Sequence, residues 1–251
     1  MKFKKWQILF VFLFSIAANT SAENPDINTV VRKIDQLYRS KTSYALLTME
    51  IVTPNWSRTL TLKAWTRGTK NTFIRILTPE KERNVATLRI GNQMWNFLPN
   101  ANKTIKIPPS MMMSSWMGSD FTNDDLVKES SMLDDYTFRY VRPPDKQPDI
   151  LYIEFNPKED KPIVWGRIVA AVRSGDYLPV WQKYYDEKDA LMRVMTFRKI
   201  KTFSGREIPT TMELVPQKKP GNKTVIIYND VAFDIPLSET VFTERNLRAR
   251  E

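Results

Sequence analysis

The sequence predicts a mainly β fold with some helix: one strongly curved antiparallel sheet of about eleven strands. The expected shape is an open or half barrel whose concave face is covered by helices. Three observations lead there. Apolar and polar residues alternate with a period near two through most of the chain. Turn-forming residues return roughly every 10 residues, the spacing of a strand meander. Only 7 glycines are present, too few for a glycine-kinked small barrel. A twisted sheet of this many strands has to curl instead.

The chain opens with Lys2, Lys4 and Lys5, then an apolar run from residue 6 to 18 that is short for a membrane span, then Thr20-Ser21-Ala22. This is the layout of a signal peptide over residues 1–22, cleaved after Ala22. No cysteine follows the run to take a lipid. The product is expected to be an exported, periplasmic protein, with residues 23–251 forming a single domain and existing as a monomer. Its first element is a helix. Asn24 is placed to cap it and Pro25 suits the first turn. Ile27, Val30, Val31, Ile34, Leu37 and Tyr38 recur at helical spacing and make one apolar face.

From Tyr44 the period shifts to two. Strands are read at residues 43–53, 58–67 and 71–77, with a turn at Gly68-Thr69-Lys70. The stretches 84–90 and 93–98 flank Gly91-Asn92, a hairpin turn, and residues 99–102 turn the chain into 103–107. After an interruption, strands resume at 136–142, 149–155, 165–173, 178–185, 191–201, 208–215 and 223–233, separated by turns such as Ser174-Gly175-Asp176 and Ser204-Gly205-Arg206. Residues 237–247 are expected to end in a helical turn or to dock as coil.

The interruption is the most informative stretch. Residues 107–121 hold Met111, Met112, Met113, Trp116, Met117 and Phe121, with no charge before Asp120. Methionine is flexible and polarizable, so a cluster of it fits apolar partners of varied shape. Three consecutive methionines cannot share one face of a helix or a strand. Some must therefore meet solvent, a ligand or a partner. Thr122-Asn123-Asp124-Asp125 then reads as a capping box opening a short helix. The segment is expected to be a lid. Trp95 and Phe97 share one side of their strand and Met94 the other. Together with the lid they are expected to wall an apolar cavity. Arg75 and Arg89, in apolar strands, are read as outward-facing and solvated, with a lipid head-group contact as the alternative. Trp56, Trp65, Trp165 and Trp181 are read as packing or rim anchors.

Composition removes whole classes of chemistry. Without histidine or cysteine there are no Ser-His-Asp triads, Cys-His dyads, disulfides or His-based metal sites. No P-loop, GxGxxG or GxSxG occurs. The acids cluster in turn-like pairs, Asp124-Asp125, Asp134-Asp135, Glu159-Asp160 and Asp186-Glu187, which leaves a carboxylate hydrolase as a third reading. The leading expectation is no enzyme, no cofactor and no metal. The net charge of +10 fits contact with anionic membranes or acidic partners. It does not point to nucleic acid, because no basic stretch is concentrated.

Three segments carry a resemblance: MWNFLPNANKTIKIPPSMMMSSWMGSDFTNDDL, YLPVWQKYYDEKDALMRVMTFRKIKTFSGREIPTTMELV and DVAFDIPLSETVFTERNLR. They are similar to the LolA/LolB superfamily of periplasmic lipoprotein carriers. Over residues 25–248 the chain resembles most the LolA-like outer membrane lipoprotein-sorting proteins. That resemblance implies an open β-barrel with a helical lid, an interior that takes acyl chains of lipids or lipoproteins, and transport toward the outer membrane. It also implies an inner-membrane RND-type exporter or an outer-membrane acceptor as partner. An accessory module that docks on such an exporter without carrying lipid stays open as the alternative. LolA proper closes its lid with a strand arginine, and no arginine of this sequence is assigned that role.

Overall fold

In the computed structural model of the protein, residues 24–127, 131–159, 161 and 163–250 are described. The expected signal peptide lies outside them. Helix α1, Ile27–Asp35, starts at Asp26 rather than Asn24. The Asp26 carboxylate accepts from the main-chain N–H of Thr29 at 3.0 Å and of Asn28 at 3.4 Å, satisfying donors that a helix start leaves free.

Among the described residues thirteen strands follow, in one antiparallel sheet. They are β1 (Thr42–Val52), β2 (Ser57–Arg67), β3 (Asn71–Thr78), β4 (Ala86–Ile90), β5 (Gln93–Leu98), β6 (Lys103–Lys106), β7 (Tyr136–Val141), β8 (Ile150–Pro157), β9 (Arg167–Arg173), β10 (Pro179–Tyr185), β11 (Leu191–Phe203), β12 (Arg206–Pro216) and β13 (Lys223–Phe233). The expected count of about eleven is too low: each of the thirteen stretches read from the sequence forms a strand of its own. Gly91, at φ 54°, lets the two-residue turn separate β4 from β5, and β6 pairs with β5 as a four-residue strand of its own.

The spatial order is β6-β5-β4-β3-β2-β1-β13-β12-β11-β10-β9-β8-β7. Every neighbour is a hairpin partner except β1 and β13, which bring the two halves of the chain together in the middle. The sheet is not closed: β6 and β7 are its two free edges. These edge strands are consecutive in sequence. The chain between them, residues 107–135, therefore has to travel from one edge of the sheet to the other.

Strand alternation divides the apolar residues between two faces. On one face, Val30, Val31 and Ile34 of α1 pack with Ile51, Leu62, Ile76, Met94, Phe155 and others in the main core. The opposite face of β3 to β5 presents Phe73, Leu88 and Phe97, which pack against Phe242 and Leu247 from the C-terminal segment. That segment holds helix α3, Glu244–Arg248, capped by Thr243. A third cluster joins Leu37 just after α1 to Ala45, Ile208 and Val231.

Two arginines depart from the solvated reading. Arg75 is 1% exposed and Arg89 4%. The Arg75 guanidinium donates to the main-chain carbonyls of Asn246, at 2.6 Å, and Ala249, and so fastens the end of α3 to the sheet. Arg89 donates through Nε to the Gly91 carbonyl at 3.0 Å. A strand pattern shows that a residue alternates, but not that a later segment will cover it.

Candidate functional site

The segment joining the free edges folds back on itself. Asp124 N–H donates to the Met112 carbonyl at 2.7 Å, Asn123 N–H to Ser114 at 3.0 Å, and Trp116 N–H to Phe121 at 2.8 Å. The Asn123 side chain adds a bond to the Met111 carbonyl at 3.0 Å. The result is a small hairpin, residues 111–124. Its tip reverses through Met117 at φ 49° and Gly118 at φ 73°. Glycine holds that conformation freely, whereas a methionine there is strained and has to be held.

The hairpin sorts the expected lid residues by environment. Trp116 and Phe121 are buried in the main core with Met94, and Met112 and Met117 lie partly buried against it. Met111 and Met113 are 45% and 49% exposed. Trp95 and Phe97 are not brought together with these. They sit on the opposite face, in the cluster under the C-terminal segment, because they are one and three residues on from Met94 in a pleated strand.

Polar contacts pin the hairpin across the sheet. Trp116 donates through Nε1 to the Thr87 hydroxyl of β4 at 3.1 Å, and Thr87 donates on to Asn96 at 2.7 Å. Arg58 of β2 donates to the Met117 carbonyl and to Glu82 at 2.9 Å. Thr224 of β13 accepts from Asp120 N–H at 2.9 Å and donates to its carboxylate at 2.8 Å. The anchors therefore run from β4 through β2 and β13 to β11, where the strongest contact lies.

That contact is Asp125 with Arg193. The capping box forms as read: Asp125 accepts from Thr122 N–H at 2.8 Å, Thr122 Oγ1 accepts from Asp125 N–H at 3.1 Å, and helix α2 spans Asn123–Val127. The same carboxylate takes both arms of the Arg193 fork, at 2.8 Å each. The Arg193 guanidinium carbon lies 4.4 Å from the Trp165 ring centroid and 4.3 Å from that of Tyr184. Burial pushes the Asp125 carboxyl up, but its hydrogen bonds and charge pairing with Arg193 outweigh this and hold it below the usual carboxylate range. Paired, hydrogen-bonded and stacked, Arg193 is tolerated at 7% exposure. The sequence assigns Asp125 only its place in the capping box and assigns Arg193 no role. The signal available was an arginine set between Met192 and Val194 in the apolar half of its strand. Its partner 68 positions away was not visible.

The pairs at Asp134-Asp135 and Asp186-Glu187 serve turns, whereas Asp160 of the Glu159-Asp160 pair lies outside the described residues. Asp135 accepts from Ser131 N–H at 2.9 Å, and Asp186 accepts from Lys188 and Ala190 N–H at 3.0 and 2.9 Å. A separate groove of about 580 Å³ lies beside the β7 edge, lined by residues including Tyr140, Arg142, Lys146, Leu151 and Tyr152.

A family model described as "-like: Uncharacterized protein" matches residues 68–249. The chain belongs to that family. Similar solved structures cover nearly all of the described fold. A DUF1329 family protein from Desulfovibrio piger aligns with a TM-score of 0.77 at 24% identity, over 87% of this chain and 96% of that one. An outer membrane lipoprotein-sorting protein domain from Vibrio parahaemolyticus gives 0.70 at 21%, over 83% and 92%. A LolA superfamily protein from Nitrosomonas europaea gives 0.71 at 18%, over 87% and 98%. The LolA-like resemblance read from the sequence is thus borne out, and the fold is the LolA-like one. No curated protein matches the chain.

Proposed function

We propose that the protein is an exported, periplasmic carrier. It takes acyl chains of lipids or lipoproteins between the sheet and the 111–124 hairpin, and moves them toward the outer membrane. The observation that carries this reading is the position of the hairpin. The one segment rich in methionine is also the link between the sheet's two free edges. It packs into the main core, to which α1 also contributes. Opening the hairpin withdraws Trp116 and Phe121 from the core and leaves apolar surface for acyl chains, each CH₂ gaining about 0.8 kcal/mol on leaving water. Met94, Met112 and Met117 line that space and adapt to chain shape. Trp95 and Phe97, on the other face, have no part in it. Asp125 and Arg193 hold the hairpin shut until a membrane partner opens it. Such a partner is an RND-type inner-membrane exporter as donor or an outer-membrane acceptor. The reading calls on no catalytic group and no cofactor.

Lipid mass spectrometry on protein purified from a membrane-containing extract is expected to find bound lipid. Delipidated protein is expected to take up a fluorescent fatty acid, and an Asp125→Asn variant to do so faster. No lipid and no uptake by either form would overturn the carrier.

The alternative is an accessory that docks on the exporter with a solid core. The dense packing of Trp116 and Phe121 favours it, as do the exposed Met111 and Met113. It predicts that Met113→Asp abolishes capture of the exporter by a protein that never takes up fatty acid.

A further inference from the structure

We infer that the Arg193 fork is a built anion site, that Asp125 occupies it in the closed form, and that the anionic head group of an amphiphile takes it when the hairpin opens. The inference rests on the carrier reading and adds the chemical class of the cargo's polar end.

The geometry is that of a binding site rather than of a surface ion pair. Arg193 is 7% exposed. Its two terminal nitrogens reach one carboxylate at 2.8 Å each, the bidentate arrangement that suits carboxylate and phosphate alike. Trp165 and Tyr184 stack on the guanidinium and fix its orientation. Tyr184 is itself held, donating to Gln182 at 2.7 Å. The fork is therefore positioned by residues of the sheet and of the chain just before β9, none of which belongs to the hairpin. Asp125 alone arrives with the hairpin. Swinging it away leaves a permanently charged, largely buried group with no counter-ion. A neutral amphiphile leaves that charge unpaired. An amphiphile ending in phosphate or carboxylate restores both hydrogen bonds while its chain lies where Trp116 and Phe121 had been. The site thus ties hairpin opening to the charge of the cargo.

The test compares hexadecyl phosphate, hexadecanol and inorganic phosphate by calorimetric titration of the purified protein. Hydrogen bonds to a charged partner lead us to expect hexadecyl phosphate to bind about 10- to 100-fold more tightly than hexadecanol. Asp125→Asn, which keeps the fork and weakens its occupant, is expected to tighten the binding of both amphiphiles and to keep that preference. Arg193→Gln is expected to abolish it, the two amphiphiles then binding alike and hexadecanol no more weakly than to the unaltered protein. Equal affinity for the two amphiphiles overturns the anion site and leaves the carrier standing. Binding of neither overturns both. Inorganic phosphate binding as tightly as hexadecyl phosphate overturns the assignment to an amphiphile head group.

Discussion

Strands β2 to β5 carry a cover on each face, and the two covers are fastened by different chemistry. On one face the C-terminal segment lays Phe242 and Leu247 over Phe73, Leu88 and Phe97. Its lock is Arg75, which grips main-chain carbonyls. On the other face the 111–124 hairpin inserts Trp116 and Phe121, and its lock is the Asp125 carboxylate in the Arg193 fork. The first lock has no titrating acceptor, and its arginine is 1% exposed. The second depends on a charged carboxylate side chain, and its hairpin shows two half-exposed methionines to solvent. One cover is held through main-chain carbonyls, the other through a charged side-chain pair.

Removing the largest buried group separates the two most sharply. Trp116→Ala is expected to cost about 3–5 kcal/mol. The loss should fall on hydrogen-exchange protection of residues 111–124, with the amides of α3 little changed. Equal loss at both covers would mean that the hairpin is not an independent unit. Leu247→Ala, at 0% exposure, is expected to cost about 2–5 kcal/mol and to lower the urea midpoint of the whole sheet. A loss confined to the C-terminal segment would erase the distinction from the other direction.

The smallest effect is that of pH. The Asp125 carboxyl has a folded pKa below its ordinary 3.8. Its contribution is therefore fully present above that value and is lost as pH falls through the lower, folded one. Protection of the hairpin should accordingly hold at neutral and mildly acidic pH and fade only below about pH 4. The amides behind the Arg75 lock should show no such step. Fading of the hairpin above pH 5 would exclude Asp125 as the group responsible.

The sequence alone determined the strand stretches, because alternation and turn chemistry are local properties. It also determined the capping box at Thr122 to Asp125, and the oddity of Met111 to Met117, whose spacing fits no regular element. It did not determine which face of β5 counts. Met94, Trp95 and Phe97 are all apolar, and only the arrival of α1 with the hairpin on one side and α3 on the other gives the faces different meanings. Nor did it reveal that Arg75 and Arg193 are buried. A lone arginine in an apolar strand looks solvated until a distant segment covers it. The role of the hairpin as a bridge comes from topology: β1 pairs with β13, so the chain's middle strands become the sheet's edges. Pairing across such separations is set by the closure of the whole sheet and by no residue within reach of the methionines themselves.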